Sequence, residues 1–444
     1  MSQRDALAVG GHTRWAAVLV GVVAGAISLL RLWWGNPESL TQVVWAEDGV
    51  FPLCIEKAGF LTCLVDPFAG YLLVLPRLLA GVVALVPVEQ WALATNLLAA
   101  LIAGVVGALA FAVVRRFGLG WVASVVIGLL PVVVPVVGFE AINALGSSYM
   151  LLLYLSTLVL AFPLRSHVVS WPMTITVAAL LLLTTLTIPT AGVFLALIVV
   201  QVVRRAVPWR AGAVWAGVIL LGLVAQVLTA LGAEKPRAIN ASGDSFREWV
   251  DSVPETILTF WPGLRLESYD FFGVFPVSPL PITGAIVALA ILIGGLVLVV
   301  RGGDGMVAIG LLLLTGVVVG AVPTIIGGSN NRYFVVPLLL WAAAAMVALD
   351  PLARRSRPWM VAIVVVIVGA VWWSALPASW FRTMPAPPWQ DEVLRVENAC
   401  MADPALQERI IFSPYWPPDW GDALSEPTHP NLPCTVVVGK WISG

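Results

Sequence analysis

The chain has 444 residues, 60% hydrophobic and 11% charged, with mean hydropathy +0.95. A soluble domain carries roughly a quarter charged residues, so the composition excludes a soluble globular protein and implies one that crosses a membrane several times. The net charge of −1 leaves no basic footprint for nucleic acid.

A spanning helix takes about 20 mainly apolar residues. The first such run is 15–34, behind a short basic start with Arg4 and Arg14. It is long and lacks a small-residue cleavage site, so it reads as a retained helix and not as a removed signal peptide. Arg31, near its far end, is expected to snorkel to the interface. Further apolar runs occupy 90–114, 120–138, 147–163, 172–188, 191–203, 211–231, 282–300, 306–326, 333–349 and 359–376. The expectation is an all-α polytopic membrane protein with about eleven transmembrane helices. The run 191–203 is short and follows Pro189-Thr190. Its hairpin is expected to end inside the membrane, against protein or a wet cavity.

The stretch 71–88 is apolar enough to span, yet it holds Arg77 and is bracketed by Pro76 and Pro87. Lys and Arg in short loops favour the cytoplasm. With the N-terminus inside and 71–88 lying on the outer face, the inner loops hold 12 of the 24 Lys and Arg but only Asp5, Asp304 and Asp350 of the 25 acids. If 71–88 crossed, Arg115-Arg116 and every later Arg cluster would move outside. The expected topology in the plasma membrane therefore has a cytoplasmic N-terminus, juxtamembrane helices in the first outer loop and an extracytoplasmic C-terminus. Segments 35–89, 232–281 and 377–444 lie outside, as do the short loops 139–146 and 327–332.

All four cysteines fall on that side. An oxidising compartment permits bridges, and Cys54–Cys63 and Cys400–Cys434 are expected because each pair sits within one outer segment; four buried free thiols are the alternative. Residues 377–444 read as a small disulfide-stapled subdomain behind a transmembrane domain of 1–376. In it, 413–420 forms an aromatic-Pro loop and the β-branched run 434–439 is expected to be a strand. No internal repeat is visible.

Charged groups deep in a bilayer are costly and usually functional. Here the ionisable residues gather at the outer mouth: Glu47, Asp48, Arg77, Glu140 and Arg332. Ion-coupled transporters bind at the midplane on broken helices, whereas chemistry on a lipid headgroup places its polar residues at the interface. In Trp45-Ala46-Glu47-Asp48-Gly49 a carboxylate can accept a proton from an attacking hydroxyl or hold a metal ion, and Gly49 permits close approach. The bland alternative is an acidic N-cap ahead of a surface helix at 50–58. Tyr71 and Arg77 suit a sugar phosphate, or merely anchor an interfacial helix. Glu140 and Asn143 can bond sugar hydroxyls, or cap a hairpin turn. Asn331-Arg332-Tyr333 opens a helix from outside, where an Arg and free N–H groups can hold an anion, or simply anchor the helix. His12, His167 and His429 are scattered, so no zinc spacing exists. Phosphate-loop, nucleophile-elbow and dinucleotide motifs are absent from the sequence.

These features together resemble the GT-C class of integral membrane glycosyltransferases, and more narrowly its actinobacterial members. The resemblance rests on Trp45-Ala46-Glu47-Asp48-Gly49, Ala69-Gly70-Tyr71-Leu72 with Pro76-Arg77, and Asn331-Arg332-Tyr333, and reaches to about residue 349. It implies transfer of a sugar from a polyprenyl-phosphate donor to a glycan or glycolipid acceptor on the outer face. Asp48 is then the base, with Glu47 as close alternative; Arg332 holds the lipid phosphate and Glu140 is the second-loop acid. Segment 139–143 lacks the Asp-x-Asp of the oligosaccharyltransferase branch, so no cofactor is expected to be required, with a divalent metal left open. The alternatives are a lipid-linked saccharide transporter and a non-catalytic envelope-assembly protein.

Overall fold

In the computed structural model, the residues described are 3–45, 47–68, 70–134, 141–162, 169–232, 281–327, 334–355, 387–410 and 431–442. They are overwhelmingly helical. The membrane region contains α1 (Gln3–Gly35), α2 (Ser39–Gln42), α3 (Glu47–Ala58), α4 (Phe60–Val65), α5 (Val74–Val83), α6 (Trp91–Phe117), α7 (Trp121–Val133) and α8 (Ser148–Ala161). It continues with α9 (Trp171–Thr187), α10 (Phe194–Val203), α11 (Trp209–Gly232), α12 (Pro281–Arg301), α13 (Asp304–Gly327) and α14 (Val335–Arg355). The C-terminal segment holds α15 (Trp389–Ala402), β1 (Gln407–Arg409), β2 (Asn431–Pro433) and α16 (Cys434–Val436), which runs on as wider π-type turns through Val437–Ile442. Five stretches are long and apolar enough to cross a membrane: Thr13–Gly35, Val88–Phe117, Trp209–Gly232, Asp304–Pro323 and Val335–Arg354. Shorter apolar helices lie among them. The apolar run 359–376, the loop 233–280 and the aromatic-Pro loop 413–420 lie outside the described residues.

Helix α6 shows how such a sequence packs. Leu93, Leu97, Leu101, Val105 and Leu109 recur every four residues and are exposed, while Ala92, Ala99, Ala103, Ala110 and Phe111 are buried. Large apolar side chains thus dominate the exposed face and small ones, Phe111 apart, the packed face, the usual economy of helix association where no hydrophobic force acts between helices. The small side lets α1 approach closely. A Cβ on Gly104 would sit 2.7 Å from the Gly21 carbonyl. The helix stops at Gly118, which adopts φ +106° and closes the C-terminal turn onto Val114 and Arg115.

Arg31 departs from expectation. It is 1% exposed and donates to the carbonyls of Val132 (2.7 Å) and Val134 (3.0 Å). These lie at the C-terminal end of α7, where carbonyls lack helical partners and a cation is favourable. The guanidinium therefore caps a neighbouring helix inside the protein and does not snorkel. Nearby, Pro131 within α7 cannot donate to the Ile127 carbonyl, and the Tyr154 hydroxyl takes that place at 2.7 Å.

The short hairpin between α9 and α10 turns through a 3-10 segment, Pro189–Val193, packed among α9, α11 and α13. Ala191 is wholly buried there, as an irregular turn among apolar helices requires. The stretch before α5 is tied to the same end. Gln226 of α11 accepts from the Leu72 N–H (2.8 Å) and donates to the Thr185 carbonyl (2.9 Å), and Thr187 of α9 accepts from the Leu75 N–H (3.1 Å). Within the preceding turn, Gly70 at φ +83° lets Phe68 and Tyr71 exchange main-chain hydrogen bonds.

Both expected disulfides are present, Cys54–Cys63 and Cys400–Cys434. The expected strand over 434–439 is not. The strand pair is β1 with β2, antiparallel, with Glu408 opposite Leu432, and the run from Cys434 is helical. Burial explains the difference: Cys434 and Val437 are buried and Val438 and Trp441 half-buried, a spacing of i, i+3, i+4 and i+7. Helical period outweighed β-branched composition.

Candidate functional site

Asp48 sits in the first turn of α3 and is 1% exposed. Its Oδ1 accepts from the Gly146 N–H at 2.7 Å and its Oδ2 from the Leu145 N–H at 3.0 Å. The Asp48 N–H itself donates to the carbonyl of buried Trp45 at 2.7 Å. An acidic N-cap would serve its own helix; this carboxylate instead reaches across to the turn that opens α8. The side chain of Glu47, at the start of the same helix, lies outside the described residues.

That turn carries Asn143, held at φ +51°, a left-handed conformation that Asn tolerates better than most residues. The Ser28 hydroxyl of α1 donates to Asn143 Oδ1, and Asn143 Nδ2 donates to the Ser28 carbonyl at 3.3 Å. A small cavity opens beside this pair, lined by Ser28, Pro131, Val132, Asn143, Ser148 and Val335 among others. The buried Ser148 hydroxyl, at the N-terminus of α8, has no hydrogen-bond partner among the described residues. Val335 begins α14, three residues after Arg332.

Three separated stretches are therefore linked at one end of the bundle: the Asn143 turn and the start of α14 line the cavity, and Asp48 of α3, which does not line it, grips that turn. Glu140, Asn331, Arg332 and Tyr333 lie outside the described residues, although the chain on one side of each reaches this place. The fourth stretch does not join the cavity. Arg77 is 3% exposed, donates to the Cys63 carbonyl, lies 3.6 Å from Asp66 and sits 5.3 Å above the Phe51 ring. Burial lowers its pKa and Asp66 draws it back up. These contacts brace α5 against the end of α4 and the Cys54–Cys63 bridge. Tyr71 packs with Phe51, Leu73 and Ala80 on the same side.

Sequence reasoning missed Ser28, Ser148 and the Leu145 and Gly146 amides. Ser28 had one signal: it lies one turn before Arg31 in an otherwise apolar helix. Main-chain amides leave no signal in a sequence. Among the described residues, no three His, Cys, Asp or Glu side chains are grouped as a metal site. No protein-family model, curated protein or solved structure matches the chain, so a functional reading rests on this geometry.

Proposed function

We propose that this chain is a membrane glycosyltransferase of GT-C type with about eleven spans. It moves a sugar from a polyprenyl-phosphate donor to a glycan or glycolipid acceptor at the extracytoplasmic face of the plasma membrane. The observation that supports the reading is that the Asn143 turn, gripped by Asp48 of the acid-bearing α3, and the start of α14 line one small cavity between apolar helices. A water-soluble acceptor and a lipid-borne donor can meet only at such a boundary.

In the mechanism, the acceptor hydroxyl loses its proton to a carboxylate as its oxygen attacks the anomeric carbon. The bond from that carbon to the phosphate oxygen breaks, and the configuration inverts. The leaving group is a phosphate monoester, so it needs a cation more than a proton; Arg332 supplies it. Both Asp48 oxygens already accept main-chain N–H groups. Asp48 therefore positions the turn, and the proton-accepting role falls to its neighbour Glu47. The Ser148 hydroxyl offers a bond to a sugar hydroxyl.

The test is transfer of a radiolabelled sugar from a polyprenyl-phosphate donor in membranes carrying the protein. Glu47→Gln is expected to lose roughly a hundred- to ten-thousand-fold in rate, the range of general base help, with unchanged thermal stability. Undiminished transfer in both Glu47→Gln and Asp48→Asn would remove this site.

A further inference from the structure

The described part of the C-terminal segment has no separate core. Trp389, Val393, Val396 and Cys400 of α15, together with Leu432, Cys434 and Val437, belong to one buried cluster with Leu53 of α3, Trp91 of α6 and Leu145. Leu53 lies five residues beyond Asp48, and Leu145 gives its N–H to Asp48. The same packed interior thus touches the acid-bearing helix and the turn that its acid grips.

Three links fasten the segment there. The Cys400–Cys434 bridge closes it. Trp389 stacks on Trp91 with ring centroids 6.0 Å apart and donates from Nε1 to the Val88 carbonyl at 2.6 Å. Lys440 reaches the far end of α3, where its Nζ donates to the Glu56 carbonyl at 2.7 Å and lies 3.1 Å from Glu56 Oε2. The Glu56 carbonyl is among the last four of α3, which have no partner within the helix and favour a cation.

Helix α3 needs such support. It is 12 residues long and contains Gly49 and Pro52. Both are poor helix formers, and Pro52 removes an internal hydrogen bond. Its direction is therefore set by what holds its two ends: Asp48 on the turn before α8 at one, Lys440 and the Cys54–Cys63 bridge at the other.

We propose that Lys440 is a positioning residue for the acid pair, and that the disulfide-closed C-terminal segment sets the grip of Asp48 on the Leu145–Gly146 amides. The proposal rests on reading 45–51 as the acid site. It makes the C-terminal segment a working part of that site.

The experiment is hydrogen exchange at the Leu145 and Gly146 amides, with the full chain in lipid nanodiscs and no sugar donor. Lys440→Met is expected to speed exchange there by up to about fivefold, the range of an exposed ion pair, and Lys440→Arg to restore it. Cys400→Ser with Cys434→Ser is expected to speed it by tenfold or more. Unchanged exchange at Leu145 and Gly146 in both variants, while the α15 amides lose protection in the cysteine variant, overturns the proposal. Transfer assays then separate the two readings. Lys440→Met is expected to lower kcat with donor KM unchanged and Lys440→Arg to restore it, and an unchanged kcat in Lys440→Met also overturns the positioning role. If exchange responds but the wild type transfers no sugar from any polyprenyl-phosphate donor, the transferase reading fails and the mechanical coupling stands.

Discussion

Two carboxylates hold opposite ends of this bundle by the same device, and their surroundings differ. Asp350, near the end of α14, accepts the Gly120 N–H at 2.8 Å, just where α7 begins. It is 7% exposed and lies 2.5 Å from Arg354, whose side chain is half in solvent. Asp48, at the other end, accepts two main-chain amides and is 1% exposed. Each acid serves a helix start from a distant part of the chain. At the α14 end, a main-chain amide and a neighbouring arginine hold the acid. At the other end, two main-chain amides of the turn before α8 hold both Asp48 oxygens. The comparison teaches that a buried acid is not by that fact a base; the atoms that it already binds must be counted first.

The largest test removes a link that belongs to the Asp48 end alone. Replacing Cys400 and Cys434 by Ser is expected to cost about 2–5 kcal/mol of stability, as loss of a native bridge typically does. Thermal unfolding in nanodiscs measures it. If the Gly120 amide loses protection as much as Leu145 does, the two ends are not independent and the comparison breaks.

Next is the pair of acids themselves. In Asp48→Asn one buried N–H faces an amide nitrogen in place of oxygen, an expected loss of about 1–3 kcal/mol. Asp350→Asn keeps an oxygen for the Gly120 N–H and loses the half-exposed ion pair with Arg354, an expected loss of less than about 1 kcal/mol. Equal losses in denaturation would erase the distinction between a buried and a solvent-relieved clamp.

The smallest effect concerns pH. Burial, and then the charge of Glu89, raise the Glu397 carboxyl above its ordinary range. A raised folded-state pKa means that the neutral form is favoured in the docked segment. The stabilisation is complete below the ordinary glutamate pKa of about 4.3 and is lost as pH rises through the elevated value. Glu397→Gln is expected to stabilise at neutral pH by less than about 0.5 kcal/mol, since solvent screens the group, and to have no effect at pH 4. A gain that persists at pH 4 would point to packing and not charge.

Much of this was legible because the bilayer restricts the solutions. Apolar runs of sufficient length must be helices, and the described spans begin and end within a few residues of the hydrophobic runs. The cysteine pairing followed from proximity along the chain. The run from Cys434 was misread because Thr and three Val residues suggest a strand, although its buried positions carry the helical period. Arg31 was misread because snorkelling concerns a side chain with water in reach, and here the end of α7 stands in the way.

The sequence by itself determined that the protein lives in a membrane, which runs become helices and which ends carry its charge, because hydropathy and charge are properties of single side chains against a fixed solvent. Only the tertiary structure decided which atoms those charges meet. Asp48 answers to the amides of Leu145 and Gly146, Arg31 to the carbonyls of Val132 and Val134, and Lys440 to the end of α3. Main-chain donors and acceptors are the same for nearly every residue, so no pattern of letters marks the ones left open when a helix ends. They become visible only when the chain folds and a distant side chain arrives to fill them.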